Sequence, residues 1–416
     1  MNKRVVITGL GCVTPAGTEL HTVWQAAIAG KSLAQPVIRF NTSGLRSKLA
    51  GQVPDIDYTT VIPPMALRRL DPLTRMVIFA GHLALKDAAV DPPTIPPERL
   101  GIVMGTGYGS TSHTDEFFRG VVAGADSLNP SLFPNTVPNA SASSLAIHLK
   151  FKGPNSTFTQ KEVSGEAALA FAADLISNGR ADLVLAGSGE ELSEFMFHSL
   201  HQVRALSPRP NHNEEVMRPY DLRRNGWVVG EGCAIVVLED LERARTRGAR
   251  IYAEIAATAC RSGSDGPVAY DATGRSSVAA MHEALALAKI PPDDVAFVHG
   301  SANGSTVLDR MEAEAVAEVF AGRSEPMPLI STRSLFGALE GYGVIKLALS
   351  CLALQYAAIP PTPELELPMK VPGIRLVNHS PAPLTGSAIL LHSASYGGVA
   401  MALAIKQIDH EKPSGE

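Results

Sequence analysis

The chain has 416 residues, of which 45% are hydrophobic and 19% are charged, a composition typical of a globular protein with one large or two medium-sized domains. Its 36 Lys and Arg residues against 41 Asp and Glu residues give a net charge of −5, which argues against a nucleic-acid-binding protein. Four widely spaced cysteines, Cys12, Cys233, Cys260 and Cys351, predict neither a disulfide framework nor a structural zinc site. We therefore expect a cytoplasmic protein without a bound metal.

The first predicted element is a short strand close to the start of the chain. Residues 5–10 form an apolar run that is interrupted by Thr8 and Gly9, so we interpret it as a β-strand entering a glycine turn rather than as a signal peptide. No uninterrupted apolar run reaches the ~18 residues needed to cross a bilayer. The nearest, residues 344–359, contains Lys346 and Gln355 and is predicted to be a buried helix. The sequence thus predicts no membrane span.

Strand-like and helix-like segments alternate along the rest of the chain. Strands are predicted at residues 4–8, 100–104, 183–186, 233–238, 295–299, 374–378, 388–392 and 401–405. Helices are predicted at residues 76–88, 142–148, 166–178, 276–288, 310–320 and 343–357. Because strands such as LVLA and IVVL are apolar throughout, this alternation favours an α/β fold with largely parallel sheets covered by helices. A predicted boundary near residue 250 divides the chain into two halves, residues 1–250 and 251–416, in which strands and helices alternate in a similar way.

Two segments that superficially suggest ligand sites do not meet the requirements for them. GTGYGS at residues 105–110 ends in Ser rather than in the last Gly of G-x-G-x-x-G, so its glycines are expected to permit tight turns instead of binding a dinucleotide. His299, in VHGSANGST, is more often structural than catalytic when it stands alone, and the other histidines form no metal-binding cluster. No nucleotide or metal cofactor is predicted.

The segment GPNSTFTQKEVSGEAALAFAADLISNGRADLVLAGSGEE, residues 153–191, predicts a turn, a short strand, a sharp bend, a helix and a second strand. A junction of strand, bend and helix is where many enzymes place a nucleophile. The residue at this bend is Glu162, between Lys161 and Val163. A carboxyl group therefore stands where a nucleophile is expected.

An ordered set of motifs gives the chain a family resemblance. The motifs are RVVITGLGCVTPAG, NPSLFPNTVPNASASSLAIHLKFKGP, RALSPRP, MRPYDLRRNGWVVGEGCAIVVLEDLERARTRGARIYAE, STRSLFGALEGYG, IPPTPEL and SASYGG. Over nearly the whole chain they resemble the β-ketoacyl-acyl carrier protein synthases of the thiolase-like superfamily. The resemblance implies a thiolase-like α/β fold, in which two similar halves of the βαβ type are stacked as α-β-α-β-α layers.

The resemblance also relates the family's catalytic positions to residues of this chain. The nucleophilic Cys of active members corresponds to Glu162. The first His corresponds to Ser301, unless an insertion or deletion places His299 there, and the Lys and His of the S-T-K-S-x-x-G-H motif correspond to Arg333 and Ala338. Condensation requires a thiolate to hold the acyl chain and imidazoles to stabilise the enolate. These substitutions imply that the chain has no catalytic residues of its own.

We expect charged groups at the former nucleophile position. The family places it at the N-terminus of a buried helix, where the helix dipole favours a negative charge. Arg333 lies near that pocket, and Lys346 stands where the family usually has Glu, if one residue is deleted. Our hypothesis is that Glu162 pairs with Arg333, possibly joined by Lys346, and plugs the site; the alternative is that Glu162 points into water. Tyr396, in SASYGG, takes the place of the family's aromatic gate.

The pattern resembles the chain-length factor, also called ketosynthase β, of type II polyketide synthases. The resemblance implies a heterodimer, or a dimer of heterodimers, with a catalytically active ketosynthase α subunit. An acyl carrier protein would deliver chains on phosphopantetheine, and this chain would bind no cofactor itself. Side chains at the interface would limit chain length, and each candidate can equally be an ordinary core residue. The tunnel candidates are Tyr108, Ser112, Phe117, Phe118 and Phe133.

Two other functions stay open from the sequence. Some family members carry Gln in place of the Cys and decarboxylate malonyl carrier protein; here Gln160 lies two residues early and the required histidines are missing. The other alternative is a homodimeric scaffold that binds an acyl carrier protein without reaction. Basic residues that can dock an acidic carrier protein, or simply form a solvated face, are Arg46, Lys48, Arg68 and Arg69. The sequence does not distinguish aromatic polyketides from aryl polyenes or other polyenes as the product.

Overall fold

The computed structural model describes residues 3–263 and 266–408. Its strands are β1 (Val5–Val13), β2 (Gln35–Pro36), β3 (Leu49–Gly51), β4 (Leu100–Gly105), β5 (Asn155–Phe158), β6 (Leu183–Glu190), β7 (Val229–Gly230), β8 (Gly232–Asp240), β9 (Ala253–Ser262), β10 (Val295–His299), β11 (Met327–Ile330), β12 (Ala358–Ile359), β13 (Ile374–Leu376), β14 (Ala382–Pro383), β15 (Ala388–Ala394) and β16 (Val399–Lys406).

Helices are interspersed among these strands along the described chain. They are α1 (Leu20–Ala29), α2 (Pro64–Leu67), α3 (Pro72–Asp87), α4 (Thr111–Ala123), α5 (Ala140–Leu149), α6 (Ser164–Ser177), α7 (Glu194–Gln202), α8 (Leu241–Thr246), α9 (Arg275–Ala288), α10 (Leu308–Val319), α11 (Arg333–Phe336) and α12 (Gly343–Tyr356). Every helix and strand predicted from the sequence is present, although the ends differ by a few residues. The sequence analysis missed α1, α4, α7, β9, β11 and several shorter elements.

Eleven of the described strands form one mixed sheet in the order β13-β11-β10-β15-β16-β9-β1-β8-β6-β4-β5. The pairs toward both ends are parallel, whereas the central pairs from β6 to β15 are antiparallel. β1 pairs with β8 along its whole length but with β9 only through Val5, Val6 and Ile7. This short ladder joins two half-sheets, one built from the strands before residue 250 and the other from those after it. The domain boundary at residue 250 stays a prediction.

Helices cover the two half-sheets on both faces. Between them lie α6 and α12, whose residues join one apolar cluster with strands of both half-sheets. Outside the first half-sheet are α3 and α5, and outside the second are α9 and α10. Every residue from 343 to 354 of α12 is buried, as predicted for this apolar segment. The arrangement is the thiolase-like α/β fold with α-β-α-β-α layers, which confirms the predicted fold class.

The glycine turn predicted after the first strand is wrong. Gly9 and Gly11 lie inside β1, which continues to Val13. A Cβ atom at Gly9 would lie 2.4 Å from the Ala84 carbonyl oxygen, and one at Gly11 would lie 2.1 Å from the Ala80 oxygen. These glycines are therefore needed because α3 packs directly on the strand, not because the chain turns. No described helix is long and apolar enough to cross a membrane.

A close crossing of α6 and α12 holds the central layer together. A Cβ atom at Gly165 would lie 2.9 Å from the Gly343 Cα atom, and one at Gly343 would lie 2.9 Å from the Glu166 nitrogen. Any larger residue at the crossing would collide with backbone atoms of the facing helix and with the buried side chains of Glu166 and Ser188, so the helices or these side chains would have to move. The crossing fixes the start of α6 against the start of α12.

We predict that Gly343→Ala lowers the free energy of unfolding by about 1–3 kcal/mol, because the added methyl group overpacks the crossing. The matched control is Gly322→Ala, since a Cβ atom there would meet nothing within 4 Å. Urea denaturation of both variants would measure the difference. Equal stability of the two variants would contradict the close-crossing interpretation.

Candidate functional site

The bend before α6 is a single 3₁₀ turn, Lys161–Val163. Lys161 has φ 54°, a left-handed conformation that costs a non-glycine residue about 1–2 kcal/mol. Its side chain stabilises the bend, since Nζ donates to the Pro267 oxygen at 2.8 Å and to the Tyr396 oxygen at 3.1 Å. The ammonium also lies 4.1 Å from the centre of the Tyr396 ring. The turn thus holds Glu162 at the base of α6, facing the protein interior.

Glu162 is 1% exposed, so the alternative that it points into bulk water is wrong. Its Oε1 atom accepts a hydrogen bond from the Tyr270 hydroxyl at 2.7 Å, whereas Oε2 has no hydrogen-bond partner among the described residues. The hypothesis of a direct ion pair with Arg333 is also wrong, because no oxygen of Glu162 lies within 4.0 Å of its guanidinium nitrogens. The two side chains nevertheless line the same cavity and interact electrostatically over a longer distance.

The cavity at Glu162 is small. It has a volume of ≈ 30 Å³, which is room for one or two water molecules and not for an acyl chain. Its charged and polar lining comprises Glu162, Glu190, Glu191, Arg333, Glu340 and Tyr108. Its apolar lining comprises Met196, Leu200, Trp227, Val229, Gly230, Ala338 and Leu339. The Arg333 Nε atom and the Glu340 Oε2 atom are, like Glu162 Oε2, buried without a hydrogen-bond partner.

The acidic side chains of this cavity hold their protons more strongly than free glutamates do. Burial and the nearby Glu340 raise the pKa of Glu162, against the opposing effect of the Arg333 charge. Burial likewise raises the pKa of Glu340, and Arg333 again opposes the shift. Burial raises the pKa of Glu190 to about 8 and that of Glu191 to about 7. One guanidinium therefore stands among several carboxyl groups that favour the neutral form.

A network of tyrosines closes the cavity on one side. The Tyr108 hydroxyl donates to Glu340 Oε1 at 2.9 Å and lies 3.2 Å from the Tyr396 hydroxyl. Tyr396 also donates to Glu340 Oε1, at 3.2 Å, and its ring packs edge-on against Tyr270. Because Tyr270 donates to Glu162, the network connects Tyr396, the predicted gate residue, to the bend before α6. Tyr396, Glu162 and Arg333 are thus brought together around Glu340, and they are joined by Tyr108, which the sequence analysis assigned to the tunnel.

Lys346 does not join Glu162. Its Nζ atom lies 2.9 Å from Glu166 Oε1 on the first turn of α6, and it also donates to the His392 oxygen and to Ser393 Oγ. Burial would raise the pKa of Glu166, but Lys346 and the hydrogen bond from Ser393 outweigh it, so that pKa lies below its usual range. The predicted participation of Lys346 in an ion pair with Glu162 is therefore wrong. Lys346 pairs instead with Glu166, which lies one helical turn after Glu162.

His299 is buried at the end of β10 and does not line the cavity. Its Nδ1 atom lies 2.9 Å from Ser350 Oγ, and its Nε2 atom lies 2.8 Å from Thr332 Oγ1. Burial and the Lys346 charge lower the pKa of His299 well below its usual value, which keeps the imidazole neutral. His299 therefore acts as a structural residue here. Whether it or Ser301 occupies the family histidine position stays a prediction.

Ser301 is held by a second buried cluster. Its Oγ donates to Glu312 Oε1 at 2.9 Å, and the His392 Nδ1 atom lies 2.6 Å from the same oxygen. The Tyr220 hydroxyl donates to the other oxygen of Glu312 at 2.6 Å. Burial would raise the pKa of Glu312, but the hydrogen bond and charge of His392 lower it to about 2. The hydroxyl of Ser301 thus hydrogen-bonds to Glu312, and Ser301 does not line the cavity at Glu162.

The remaining tunnel candidates lie away from the cavity. Ser112 is at the start of α4, where its backbone nitrogen donates to Glu191 Oε1 at 2.5 Å. Phe117 contacts Phe118 and Phe133, with ring centres 5.7 and 5.6 Å apart. Phe118 is 56% exposed and Phe133 is 60% exposed in the single chain, so neither is a core residue. Their role in a tunnel stays a prediction that requires a partner subunit.

Sequence reasoning missed several residues of the site. Glu190, Glu340, Tyr270 and Glu166 were not singled out, because each reaches the site through a contact with a distant segment. Glu340, in GALEGYG, had one available signal: an acidic residue inside an otherwise small and apolar motif. Among residues 3–263 and 266–408, no group of three or more His, Cys, Asp or Glu could hold a metal ion.

Comparison with known families gives matches to two adjoining domains. Residues 2–244 match the family described as "Beta-ketoacyl synthase, N-terminal domain", and residues 252–366 match "Beta-ketoacyl synthase, C-terminal domain". Similar proteins include the 3-oxoacyl-[acyl-carrier-protein] synthase 2 of Coxiella burnetii, 29% identical over 98% of this chain and 99% of the relative. The tetracenomycin polyketide synthase ketoacyl synthase alpha subunit of Streptomyces glaucescens is 30% identical, with 88% of each chain covered.

Solved structures of similar fold cover 98% of this chain and all of their own chains. "The ishigamide ketosynthase/chain length factor" superposes with a TM-score of 0.90 at 23% identity, which supports the fold alone. A beta-ketoacyl synthase from Burkholderia phymatum superposes with a TM-score of 0.89 at 27% identity. The fold is therefore shared with these proteins.

The Lys346–Glu166 contact predicts strong coupling between the two residues. Lys346→Met should destabilise the protein by about 3–5 kcal/mol, because it leaves the Glu166 carboxylate buried without its cation. The double variant Lys346→Met/Glu166→Leu should be less destabilised than the sum of the single variants, as measured by urea denaturation. Lys86→Met, on the exposed face of α3, is the control. Simple additivity would show that the pair is not an ion pair in solution.

The carboxyl group of Glu190 predicts a pH-dependent stability. In the unfolded chain it ionises near the reference pKa of 4.5, but in the folded chain it keeps its proton up to about pH 8. Between these values the unfolded chain binds fewer protons, so the free energy of unfolding falls by about 1.4 kcal/mol per pH unit for this group. Above about pH 8 the Glu190 carboxyl group is ionised in both states, so it causes no further fall in the free energy of unfolding.

Glu190→Gln removes this contribution, so its stability relative to the wild type should rise between about pH 5 and pH 8. If the amide also changes the stability by an amount that does not depend on pH, the difference in the free energy of unfolding between the variant and the wild type shifts by that amount. The slope of this difference against pH stays the same. Chemical denaturation at a series of pH values measures the slope, with the exposed Glu318→Gln as control. A difference that is independent of pH in this range would show that Glu190 is ionised in the folded protein.

Proposed function

Because the chain belongs to the β-ketoacyl synthase family, we propose that it is a non-catalytic chain-length-factor subunit, or ketosynthase β, of a type II polyketide synthase. It would form a heterodimer with an active ketosynthase α subunit and shape the tunnel into which the chain grows. The observation that carries the proposal is Glu162 itself: a buried carboxyl group, hydrogen-bonded to Tyr270, occupies the helix start where the family places its nucleophile.

No cysteine of the chain can replace the missing nucleophile. Cys12, Cys233 and Cys351 are buried in strands or helices of the core, and Cys260 lies on β9. Burial is the largest cause that raises the pKa of each of these thiols, so a thiolate is disfavoured at all four positions. A thioester intermediate therefore has no place to form on this chain.

The size of the cavity points the same way. A volume of ≈ 30 Å³ leaves no room for an acyl chain beside Glu162. We infer that the growing chain is held by a partner subunit. If Ser301 and Ala338 occupy the family's histidine positions, as the resemblance implies, no imidazole is available there to stabilise a malonyl-derived enolate.

The single chain exposes a surface that suits a partner subunit. β5 lies at the end of the sheet and, in the described part of the chain, pairs on one side with β4 alone. Beside it, α4, the following loop and α5 expose large apolar side chains: Phe118, Val121, Val122, Phe133, Val137 and Ile147. An unpaired strand edge and a contiguous apolar surface both favour association with another protein. The tunnel candidates Phe118 and Phe133 belong to this surface.

The relatives are compatible with this assignment. A likeness of about 30% to a protein named as an alpha subunit fits either member of a ketosynthase pair. A structure described as a type II polyketide synthase acyl-carrier protein in complex with its ketosynthase superposes with a TM-score of 0.88 at 25% identity. We propose by analogy that an acyl carrier protein serves the complex that contains this chain, delivering substrates on phosphopantetheine.

One observation favours a second candidate function, that of a malonyl carrier protein decarboxylase. A glutamic acid that keeps its proton has nearly the shape of glutamine, the residue that the decarboxylases carry at this position, and it can donate a hydrogen bond as glutamine does. The raised pKa of Glu162, caused chiefly by burial, makes this form accessible. The two missing imidazoles argue against it, so it ranks below the chain-length factor.

We predict that co-expression with the active ketosynthase encoded by an adjacent gene yields a 1:1 complex that condenses malonyl carrier protein. Glu162→Ala in this chain should leave elongation within about twofold, whereas Cys→Ala in the partner should abolish it, because the thiolate belongs to the partner. The exposed Glu318→Ala is the matched control. Native mass spectrometry and product analysis measure both results.

The same purified protein distinguishes the chain-length factor from the decarboxylase and the scaffold. A homodimer that releases carbon dioxide from malonyl carrier protein, and loses this activity with Glu162→Ala but keeps it with Glu162→Gln, would overturn the chain-length factor and establish the decarboxylase. A homodimer that binds the carrier protein without reaction would establish a scaffold instead.

A further inference from the structure

We propose that the cavity at Glu162 binds one small monovalent anion of the halide class, held by the guanidinium of Arg333. Glu162, Arg333 and Glu340 all line this cavity. Each of the three side chains is at most 4% exposed, and each has one buried polar atom without a hydrogen-bond partner among the described residues. The inference does not rest on the proposed polyketide function, because it follows from the charges and hydrogen bonds of this chain alone.

Arg333 carries a buried positive charge without a close counter-ion. Its Nε atom has no hydrogen-bond partner, and no carboxylate of the described residues lies within 4.0 Å of its guanidinium nitrogens. Its one aromatic contact is with Tyr342, whose ring centre lies 5.6 Å from the Cζ atom. An arginine cannot neutralise itself by losing a proton, and a buried charge is costly unless it is paired and hydrogen-bonded. The guanidinium therefore favours a negatively charged ligand.

The two acids beside Arg333 are arranged to hold protons. Glu162 Oε1 accepts from the Tyr270 hydroxyl, and Glu340 Oε1 accepts from the hydroxyls of Tyr108 and Tyr396. In both carboxyl groups the oxygen without a partner is Oε2, which is where a proton would reside. Burial is the largest cause that raises the pKa of both acids, so the neutral forms are favoured. Neutral acids leave the charge of Arg333 uncompensated.

The unpaired atoms select an anion over a water molecule. With both acids neutral, all three are hydrogen-bond donors: the Nε–H of Arg333 and the Oε2–H groups of Glu162 and Glu340. A halide ion accepts hydrogen bonds and donates none, whereas a water molecule brings two further protons that need acceptors. Hydrogen bonds from a charged donor are about twice as strong as neutral ones. A halide thus satisfies the three donors and supplies the missing negative charge.

The size of the cavity limits the anion to a single atom. A volume of ≈ 30 Å³ has room for one or two water molecules, and a chloride or bromide ion is of similar size. Phosphate, sulfate and carboxylate ligands are too large. Tyr108, Leu200 and Trp227 line the cavity and are only half-buried, so they mark the side on which it lies nearest to solvent.

A bound anion would connect two distant parts of the chain. Arg333 begins α11, whereas Glu162 belongs to the 3₁₀ turn before α6. Because the cavity exists only in the folded protein, the anion binds the folded chain in preference to the unfolded chain and stabilises it. The stability of the protein should therefore depend on the kind of anion in solution, and not only on ionic strength.

The first test is anomalous diffraction at the bromine absorption edge, from crystals of the full chain grown in sodium bromide. We expect a bromide peak in the cavity, within hydrogen-bonding distance of the Arg333 guanidinium. Crystals grown in sodium gluconate, whose anion is too large for the cavity, are the control and should show no such peak. Density for water without a bromide signal would overturn the proposal. This test uses the wild-type protein, so it does not depend on the folding of a variant.

The second test measures the thermal midpoint in sodium chloride and in sodium gluconate at equal ionic strength. Chloride should raise the midpoint of the wild type relative to gluconate, and Arg333→Met should weaken chloride binding at least about tenfold and remove this rise. Glu162→Gln should keep the rise, because its amide still donates a hydrogen bond. Arg275→Met, which removes an exposed arginine of α9, is the matched control and should also keep it. An equal chloride response in the wild type and in Arg333→Met would overturn the proposal.

Discussion

The contact on which the rest of the structure depends is the crossing of α6 and α12 between the two half-sheets. Gly165 and Gly343 let the helices approach to backbone contact, so the first turns of both helices are fixed against each other. Glu162 lies two residues before α6, and Glu340 lies three residues before α12. The packing of the two helices therefore helps to position these two carboxyl groups at the cavity.

Burying several charged groups in this central layer is costly, and the protein offsets the cost in different ways. Lys346 is matched by Glu166, and Glu312 by His392, Tyr220 and Ser301, so both clusters are closely paired. Arg333 is different, because no carboxylate of the described residues lies within 4.0 Å of its guanidinium nitrogens. There the carboxyl groups are expected to retain protons instead, since sharing one guanidinium among several ionised acids would leave uncompensated charge.

The proposed function rests on this arrangement. The bend with the left-handed Lys161 and the buried start of α6 hold Glu162 at the position that the resemblance assigns to the nucleophile. The groups at those positions now hydrogen-bond within the protein and leave a cavity too small for a substrate. What the chain still offers outwardly is an unpaired strand edge and an exposed apolar surface. A function exerted through a partner subunit is consistent with both properties.

Most of the longer strands and helices, the fold class and the bend that carries Glu162 could be predicted from the sequence alone. These features are local: apolar periodicity reports burial, and ordered motifs report the family. Tertiary structure decided the partners of the charged residues. Glu162 contacts Tyr270, 108 residues away, and Glu166 contacts Ser393, 227 residues away. It also decided that Gly9 lies inside a strand and that His299 is structural, because both depend on which helix or side chain packs against them. Pairing across such separations is set by the packing of whole layers, which no local pattern encodes.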